Sequence, residues 1–403
     1  MSNVLATSSI VAKESLAILK NMLTFSAAVN RDWEDEFTGN MTRGYAPGTT
    51  INIKKPPRYT YRAGRVAVPQ ATVETTVPLT LSQGGCDLHF FGIERTLSLT
   101  QLEKKIQAAI APVANEIDRQ GLALAHYSTY NTLNAAGALP TSQANALAAV
   151  TQLNQRLDEM AAPRDKRRTL ISNPSLNASM IQGFAGLFNS SDTISKQFKS
   201  GMMVDSLGIN YAMDQNVDRH TNGAGTASNV NGANQTGSAI TVNATGAGTI
   251  SRGTVITFVG CNAVNPQNRT DTGSLMNFVV TADVAQGATS IPISPAIVTS
   301  GAFQNVTASP TTGQAFVILG SASTSYSTNV AFHNDAFTLA MVPMYAPPSG
   351  KGVIDVSQQT SDGFTVKVTQ WYDGTNDDYL TRIDVLFGWA ATYPELSCKY
   401  YTV

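Results

Sequence analysis

Between Thr221 and Asn329 the chain almost stops being charged. In those 109 residues the only Lys, Arg, Asp or Glu are Arg252, Arg269, Asp271 and Asp283, and thirteen residues are glycine. Short β-prone runs recur through the stretch: Ile240–Val242, Val255–Val259, Phe278–Val280, Ile291–Ile293 and Phe316–Leu319. Turn-forming residues separate them. A low-complexity loop would not space strand-length apolar runs this regularly. The pattern predicts a small all-β barrel or sandwich. The flanking sequence has ordinary charge and a mixed helical and strand periodicity, so the module interrupts a discontinuous domain.

Helices dominate the N-terminal side. From Ser8 to Phe25, Val11, Leu16, Leu19 and Leu23 recur at helical spacing, with Ile18 and Met22 beside them. Such a terminal amphipathic helix needs something to cover its apolar face. Farther on, Thr100-x-x-Glu103 reads as a capping box. Leu102, Ile106, Ile110, Val113, Ile117 and Leu124 then predict a helix to about Leu133, with Pro112 as a point of local break. At that length the element is roughly 45–50 Å long, more a spine than part of a compact enzyme core. A second helix is expected over 141–161, a short strand at Thr169–Ile171, and a third helix from Pro174 to about Phe188. Near the C-terminus, Phe364–Val368 and Ile383–Trp389 alternate as antiparallel strands with one buried face. Alternating helix and strand reads as α/β or α+β.

Residues 50–81 read as a long β-ribbon, with Pro56-Pro57, Gly64 and Pro69 as punctuation. The ribbon is basic. Lys54, Lys55, Arg58, Arg62 and Arg65 lie together, and no acid occurs between Glu36 and Glu74. A solvated hairpin is one reading. An arm that docks on an acidic surface of a neighbouring subunit is the sharper one, and nucleic acid is a third, weaker because the aromatics Tyr59 and Tyr61 sit on only one short strand. Together with Leu16, Leu19 and Leu23, these five residues are the candidate subunit contacts.

Catalytic chemistry finds little footing. Phosphate-binding, dinucleotide-binding, nucleophile-elbow and zinc-protease motifs are all missing. His89, His126, His220 and His333 lack metal-ligand spacing, and Cys86, Cys261 and Cys398 form neither a zinc knuckle nor a disulfide framework. His333 beside Asn334 and Asp335 is the one candidate catalytic pair, and Asp373–Asp378 reads as a turn better than as a calcium loop. No catalytic residue, cofactor or metal is expected. A net charge of −1 argues against general nucleic-acid binding. Charged residues are 14% of the chain, against a usual ~25%. That suits a surface that is neutral polar or covered by partners. The N-terminus carries Lys13, Glu14 and Lys20 within its apolar pattern, which breaks any signal-peptide core, and no stretch has the length of a membrane span.

Five stretches together carry a resemblance: GLALAHYSTYNTL (121–133), RTLISNPSLNASMIQGFAGLFN (168–189), GMMVDSLGINYAMDQNVDRHTNG (201–223), VAFHNDAFTLAMVPM (330–344) and QWYDGTNDDYLTRIDVLFGWAATYPELSCK (370–399). In this order they resemble the major capsid proteins of tailed bacteriophages, in the coat-protein subfamily of short-tailed phages with an inserted β domain. The resemblance implies the α+β Hong Kong 97-type capsid fold. On that fold residues 1–40 are an N-terminal arm, 41–83 an extended β-hairpin loop, and 84–135 a peripheral domain with the spine helix. Residues 136–220 and 330–403 are a discontinuous axial domain, and 221–329 the inserted β domain. It also implies an icosahedral shell of pentamers and hexamers, formed as a scaffolded procapsid in the bacterial host cytoplasm and expanding on DNA packaging. The implied partners are other copies of the chain, a scaffolding protein, a portal at one vertex, a decoration protein, and double-stranded DNA held only non-specifically. No membrane is involved. A phage surface or tail module that binds a ligand through the β domain is the alternative.

Overall fold

The computed structural model describes residues 8–33, 48–67, 69–91, 102–184, 205–345, 355–361, 364–376 and 378–403. The helices are α1 (Ser8–Met22), α2 (Phe25–Ala28), α3 (Leu102–Ser128), α4 (Gln143–Glu159) and α5 (Pro174–Phe184). The first strands are β1 (Thr50–Lys55), β2 (Thr75–Thr80), β3 (Ser82–Phe91), β4 (Thr132–Leu133), β5 (Arg168–Ser172), β6 (Asn210–Met213) and β7 (Arg219–Thr221). Then come β8 (Gly237–Thr241), β9 (Val255–Val264), β10 (Asp271–Val280), β11 (Ser290–Ile297) and β12 (Phe316–Ile318). The last are β13 (Ser325–His333), β14 (Thr338–Met341), β15 (Asp355–Ser361), β16 (Phe364–Asp373), β17 (Asp378–Ala390) and β18 (Ser397–Thr402). The expected capping box at Thr100–Glu103 and the end of the third helix at 185–188 lie outside the described residues.

Two compact units emerge. The first gathers the chain up to Ile53, Thr76–Gly121 and Thr338–Ala390. Its sheet runs β14-β17-β16-β15, with β3 paired to β17. Strand β17 is interior: Ile383 stands opposite Val368 on one side and Cys86 on the other. Gly85 is required there, because a Cβ would lie 2.3 Å from the Ile383 carbonyl oxygen. Helix α1 packs on β15 and β16. Val11, Leu16, Leu19 and Leu23 form its buried stripe, the 3.6-residue periodicity expressed as one face. The apolar face expected to await a neighbouring subunit is therefore covered by the same chain.

A buried carboxylate ties α2 to the spine helix. Asp118 of α3 accepts hydrogen bonds from the backbone N–H of Thr24 (2.7 Å) and of Ser26 (3.0 Å), and from the Ser26 hydroxyl. These are donors that a helix start leaves without intrahelical partners. Phe25 stacks on Trp389 at 5.2 Å, and the Trp389 indole N–H donates to the Ile117 carbonyl. Gly121 sits beneath both rings; a Cβ would come within 2.5 Å of Trp389.

The second unit gathers Lys54–Thr75, Leu122–Phe337 and Ala391–Val403. Its central sheet runs β4-β18-β13-β5-β6, with β7 also on β13. Helices α4 and α5 bury Val150, Leu153, Leu157, Leu176, Met180 and Phe184 in a core shared with Leu170, Ala331 and Cys398. The sequence reading keeps 330–403 together with 136–220. In the structure that tail is divided: β13 and β18 join β5 and β6, whereas 338–390 belongs to the first unit.

Helix α3 has 27 residues, about 40 Å at 1.5 Å per residue, and contains Pro112. It ends at Ser128, five residues short of expectation. The cause is competition for the backbone. The Thr129 hydroxyl bonds the Ser397 hydroxyl (2.7 Å), the Asn131 amide donates to the Ser397 carbonyl (3.0 Å), and the Lys399 N–H donates to the Asn131 carbonyl (2.7 Å). These contacts turn 129–133 into a β edge.

Strands β8 to β12 form one sheet in the order β12-β9-β10-β11-β8. Residues 228–231 lie between its two outer strands: the Val230 N–H donates to the Gln314 carbonyl, and the Asn231 N–H to the Thr241 carbonyl. The sheet thereby closes into a small barrel, which removes its free edges. Ile240, Val255, Ile256, Phe258, Phe278, Val280, Ile291, Val306 and Phe316 fill it. All five predicted β runs lie in, or overlap, these strands. Polar side chains fasten the barrel to α4 and β4. Arg156 donates to the Leu275 carbonyl, Asn265 to the Glu159 carbonyl, and Asn277 to the Thr132 carbonyl.

The expected long ribbon is only a stem. Strands β1 and β2 pair, and in the first unit Ile53, Leu79 and Leu81 pack with Ala340, Val342 and Ala390. Residues 56–67 and 69–74 are not in strands. Pro56, Pro57 and Pro69 supply no N–H to a ladder, and Gly64 turns at φ +89°. Side chains bridge the loop instead. The Gln70 amide accepts from the Thr60 N–H (2.8 Å) and donates to the Thr60 carbonyl (2.7 Å), and the Tyr59 and Thr72 hydroxyls meet at 3.0 Å.

Candidate subunit-contact surface

The loop of residues 54–75 has a fixed base and an open tip, both within the second unit. At the base, Arg58 pairs with Glu395 at 2.8 Å, and its guanidinium lies 5.8 Å from the Phe303 ring centroid. Lys55 lies over Tyr393 at 5.0 Å. Burial lowers its ammonium pKa, opposed by the Glu395 charge and reinforced by Arg58. From the barrel, Arg269 donates to the Tyr59 carbonyl (2.9 Å) and the Ala302 carbonyl (3.2 Å). Lys55, Arg58, Phe303, Tyr393 and Glu395 line a cleft of about 700 Å³ beside this base.

Beyond Tyr59 the loop joins no hydrophobic core among the described residues. Tyr61 is 92% exposed, Val66 78% and Val73 52%. Single exposed apolar residues are ordinary, but three on one short loop form a surface that water solvates poorly. Arg62 turns back onto the carbonyls of Gly64 and Val66. Arg65 is exposed and makes no ion pair among the described residues.

The eight candidate contact residues therefore occupy different environments. Leu16, Leu19 and Leu23 are buried against the sheet of the first unit. Lys55 and Arg58 are engaged at the loop base. Lys54 pairs with Glu74 at 3.3 Å, both largely in solvent, where such a pair contributes little. Arg62 and Arg65 remain at the tip. Sequence reasoning counted charges and missed the apolar partners beside them. The signal was present in the Pro-rich punctuation, which denies Tyr61, Val66 and Val73 a sheet in which to bury.

His333, paired with Asp335 in the sequence reading, has its Nδ1 3.5 Å from the Asp335 carboxylate. Its Nδ1 accepts from the Asp335 N–H (3.3 Å) and its Nε2 bonds Asp165 (3.0 Å) in a buried site. The Asp165 contact joins the end of β13 to the loop before β5, and the Asp335 contact caps the turn that follows β13. Asp373 accepts from the Thr375 N–H and the Asn376 amide, closing the turn between β16 and β17.

The sequence profile described as P22 coat protein, gene protein 5, matches residues 85–398. That span runs from β3 to β18 and takes in segments of both compact units. The chain belongs to the P22 coat protein family. Its α+β architecture is the Hong Kong 97-type capsid fold. A Mycobacterium phage Che8 structure matches with a TM-score of 0.50 at 12% identity, covering 94% of this chain and 90% of that one. A capsid structure of cyanophage P-SCSP1u gives a TM-score of 0.41 at 9% identity, covering 88% and 84%. The mature capsid of bacteriophage PhiM1 gives 0.43 at 7% identity, covering 88% and 82%. No curated protein matches. As a member of this family the protein is a structural component of a phage capsid.

Proposed function

We propose that the chain is the major capsid protein of a tailed phage, of the short-tailed coat subfamily, and that copies of it close into the icosahedral shell around the genome. The observation that carries this reading is the family match over residues 85–398. The loop tip supports it from another direction. Tyr61, Val66 and Val73 stand exposed beside Arg62 and Arg65, a mixed apolar and cationic surface suited to an acidic, partly apolar patch on a second copy. In this reading Lys55 and Arg58 hold the loop in its presenting position, and the tip makes the contact.

The domain plan proposed from the family is an arm over 1–40, a loop over 41–83, a peripheral domain over 84–135 joined by 338–390, an axial domain over 136–220, 330–337 and 391–403, and an inserted β domain over 221–329. Assembly passes through a scaffolded procapsid in the host cytoplasm, with a portal at one vertex and a decoration protein as a further partner. The shell expands as DNA enters. A nearly neutral chain suits a container whose contents must slide past its wall, since a strongly basic wall would hold the phosphates.

Negative-stain electron microscopy of the chain expressed in bacteria, alone and with a candidate scaffolding protein, tests the reading. Closed shells or spirals of uniform wall thickness are expected. A monodisperse monomer or trimer in both conditions would overturn it.

A further inference from the structure

A buried cationic cluster lies where the end of α3, strand β7, strand β18 and the barrel meet, all within the second unit. His126 is fully buried, and neither ring nitrogen has a hydrogen-bond partner. The His220 ring lies 4.8 Å from it, centroid to centroid, with the planes tilted by 39°. His220 Nε2 is 3.3 Å from the Thr254 hydroxyl of the barrel. Lys399 of β18 is also fully buried, and its Nζ donates to the His126 carbonyl at 3.0 Å. The barrel backbone rests on the His126 ring. A Cβ at Gly253 would come within 2.7 Å of His126 Nε2, and Gly253 holds φ +91°.

The other titratable and charged groups around the cluster come from each element packed there. Arg252 of the barrel lies 4.3 Å from the Tyr127 ring centroid. Asp218, just before β7, and Cys398 both act on Lys399, and Tyr401 lies 5.8 Å from its ammonium. Tyr326 of β13 stacks on Tyr401. Asp218 is the carboxylate of this set, and it acts on the lysine. The neighbouring charges that act on the His126 ring are those of Lys399, His220 and Arg252, all cationic when protonated. Neutral, the rings pack as apolar groups against the barrel. Protonated, they add buried positive charge beside Lys399 and Arg252, which is costly without a counter-ion.

We propose that His126, His220 and Lys399 form an acid-sensitive latch that holds the end of α3 and strand β18 against the barrel at neutral pH and releases them on acidification. Burial, then the charges of Lys399, His220 and Arg252, holds the His126 imidazole well below its ordinary 6.5. Burial, then Lys399, lowers His220 to about 4, and burial lowers Lys399 from 10.5 to about 7. All three are bases that bind protons less readily folded than unfolded, so stability rises with pH wherever the two states differ. The histidine contribution is complete above 6.5 and is lost as pH falls, for His220 down to about 4. The lysine contribution is lost between 10.5 and about 7. Acidification below neutrality therefore acts through the histidines, on a lysine that is already charging.

Hydrogen exchange of the soluble full-length chain, corrected for intrinsic rates and read by mass spectrometry from pH 7.5 to 4.5, tests the latch. Peptides covering 122–129 and 397–402 lose protection about tenfold or more, the effect of at least one unit of pKa shift, while β9 and β10 keep theirs. In a His126→Gln, His220→Gln variant the acid response at the junction is lost. Uniform loss across the second unit, undiminished protection at 122–129, or an unchanged acid response in the folded variant would each overturn the proposal. Where the variant does not fold, the wild-type contrast between junction and barrel decides alone.

Discussion

The barrel strands and the loop of residues 54–75 share one sequence habit, alternation of β-prone and polar residues between turn signals, and they end in opposite conditions. The barrel closes on itself, and Ile240, Val255, Phe278, Ile291 and Val306 are fully buried. The loop has no second layer, and Tyr61 is 92% exposed. The difference does not lie in apolar content. Residues 228–231 complete the barrel's hydrogen-bonded ring, whereas three prolines deny the loop a ladder. Closure makes a segment self-sufficient. An unclosed ribbon with the same side chains depends on its base for position and leaves Tyr61 and Val66 in solvent.

The largest expected break in this comparison is inside the barrel. Phe278 is fully buried and packs edge-on to Phe258, with ring centroids at 5.7 Å. Phe278→Ala should cost about 3–5 kcal/mol, read as a lowered denaturation midpoint in urea. A loss below about 1 kcal/mol would mean that the barrel core is not packed as described.

Next comes a buried polar site with no counterpart in the loop. Asp118→Ala leaves the Thr24 and Ser26 amides without their acceptor. About 2–3 kcal/mol of stability should go, because unsatisfied buried donors keep their desolvation cost. Hydrogen exchange at 24–28 should accelerate while β9 and β10 are unchanged.

At the loop base the effect shrinks. Arg58 is one-third exposed, so Arg58→Gln should cost about 1 kcal/mol or less after solvent screening. Its visible consequence is a more mobile loop, read by limited proteolysis between Tyr59 and Val73. At the tip, a Tyr61→Ser, Val66→Ser variant should leave stability within about 0.5 kcal/mol yet reduce the yield of shells. Equal shell yield would show that the tip is merely solvated.

How much of this was legible from sequence follows from the range of the interactions. The β runs from Ile240 to Leu319, the stripe Val11–Leu16–Leu19–Leu23 and the alternating strands at 364–368 and 383–389 are periodic, and periodicity survives without tertiary knowledge. The end of α3 was misplaced because Leu133 continues the apolar spacing, while Ser397 and Lys399, more than 260 residues away, capture 129–131. Asp118 reads as one polar residue on a helix until α2 meets it from 92 residues upstream. The cluster of His126, His220 and Lys399 spans 273 residues between the first and last of its members, and no spacing rule reaches that far. Among the candidate contacts, charge was visible and exposure was not. Leu16, Leu19 and Leu23 look free in sequence only because β15 and β16 are remote in the chain.

The barrel carries its own core, and we propose that the loop gains one from another copy. Hydrogen exchange of the free subunit against the assembled shell tests it most directly. Peptides between Tyr59 and Val73 should gain strong protection on assembly, while β9, β10 and β11 exchange alike in both states. Equal exchange of the loop in subunit and shell, with the change falling instead in the barrel strands, would contradict it.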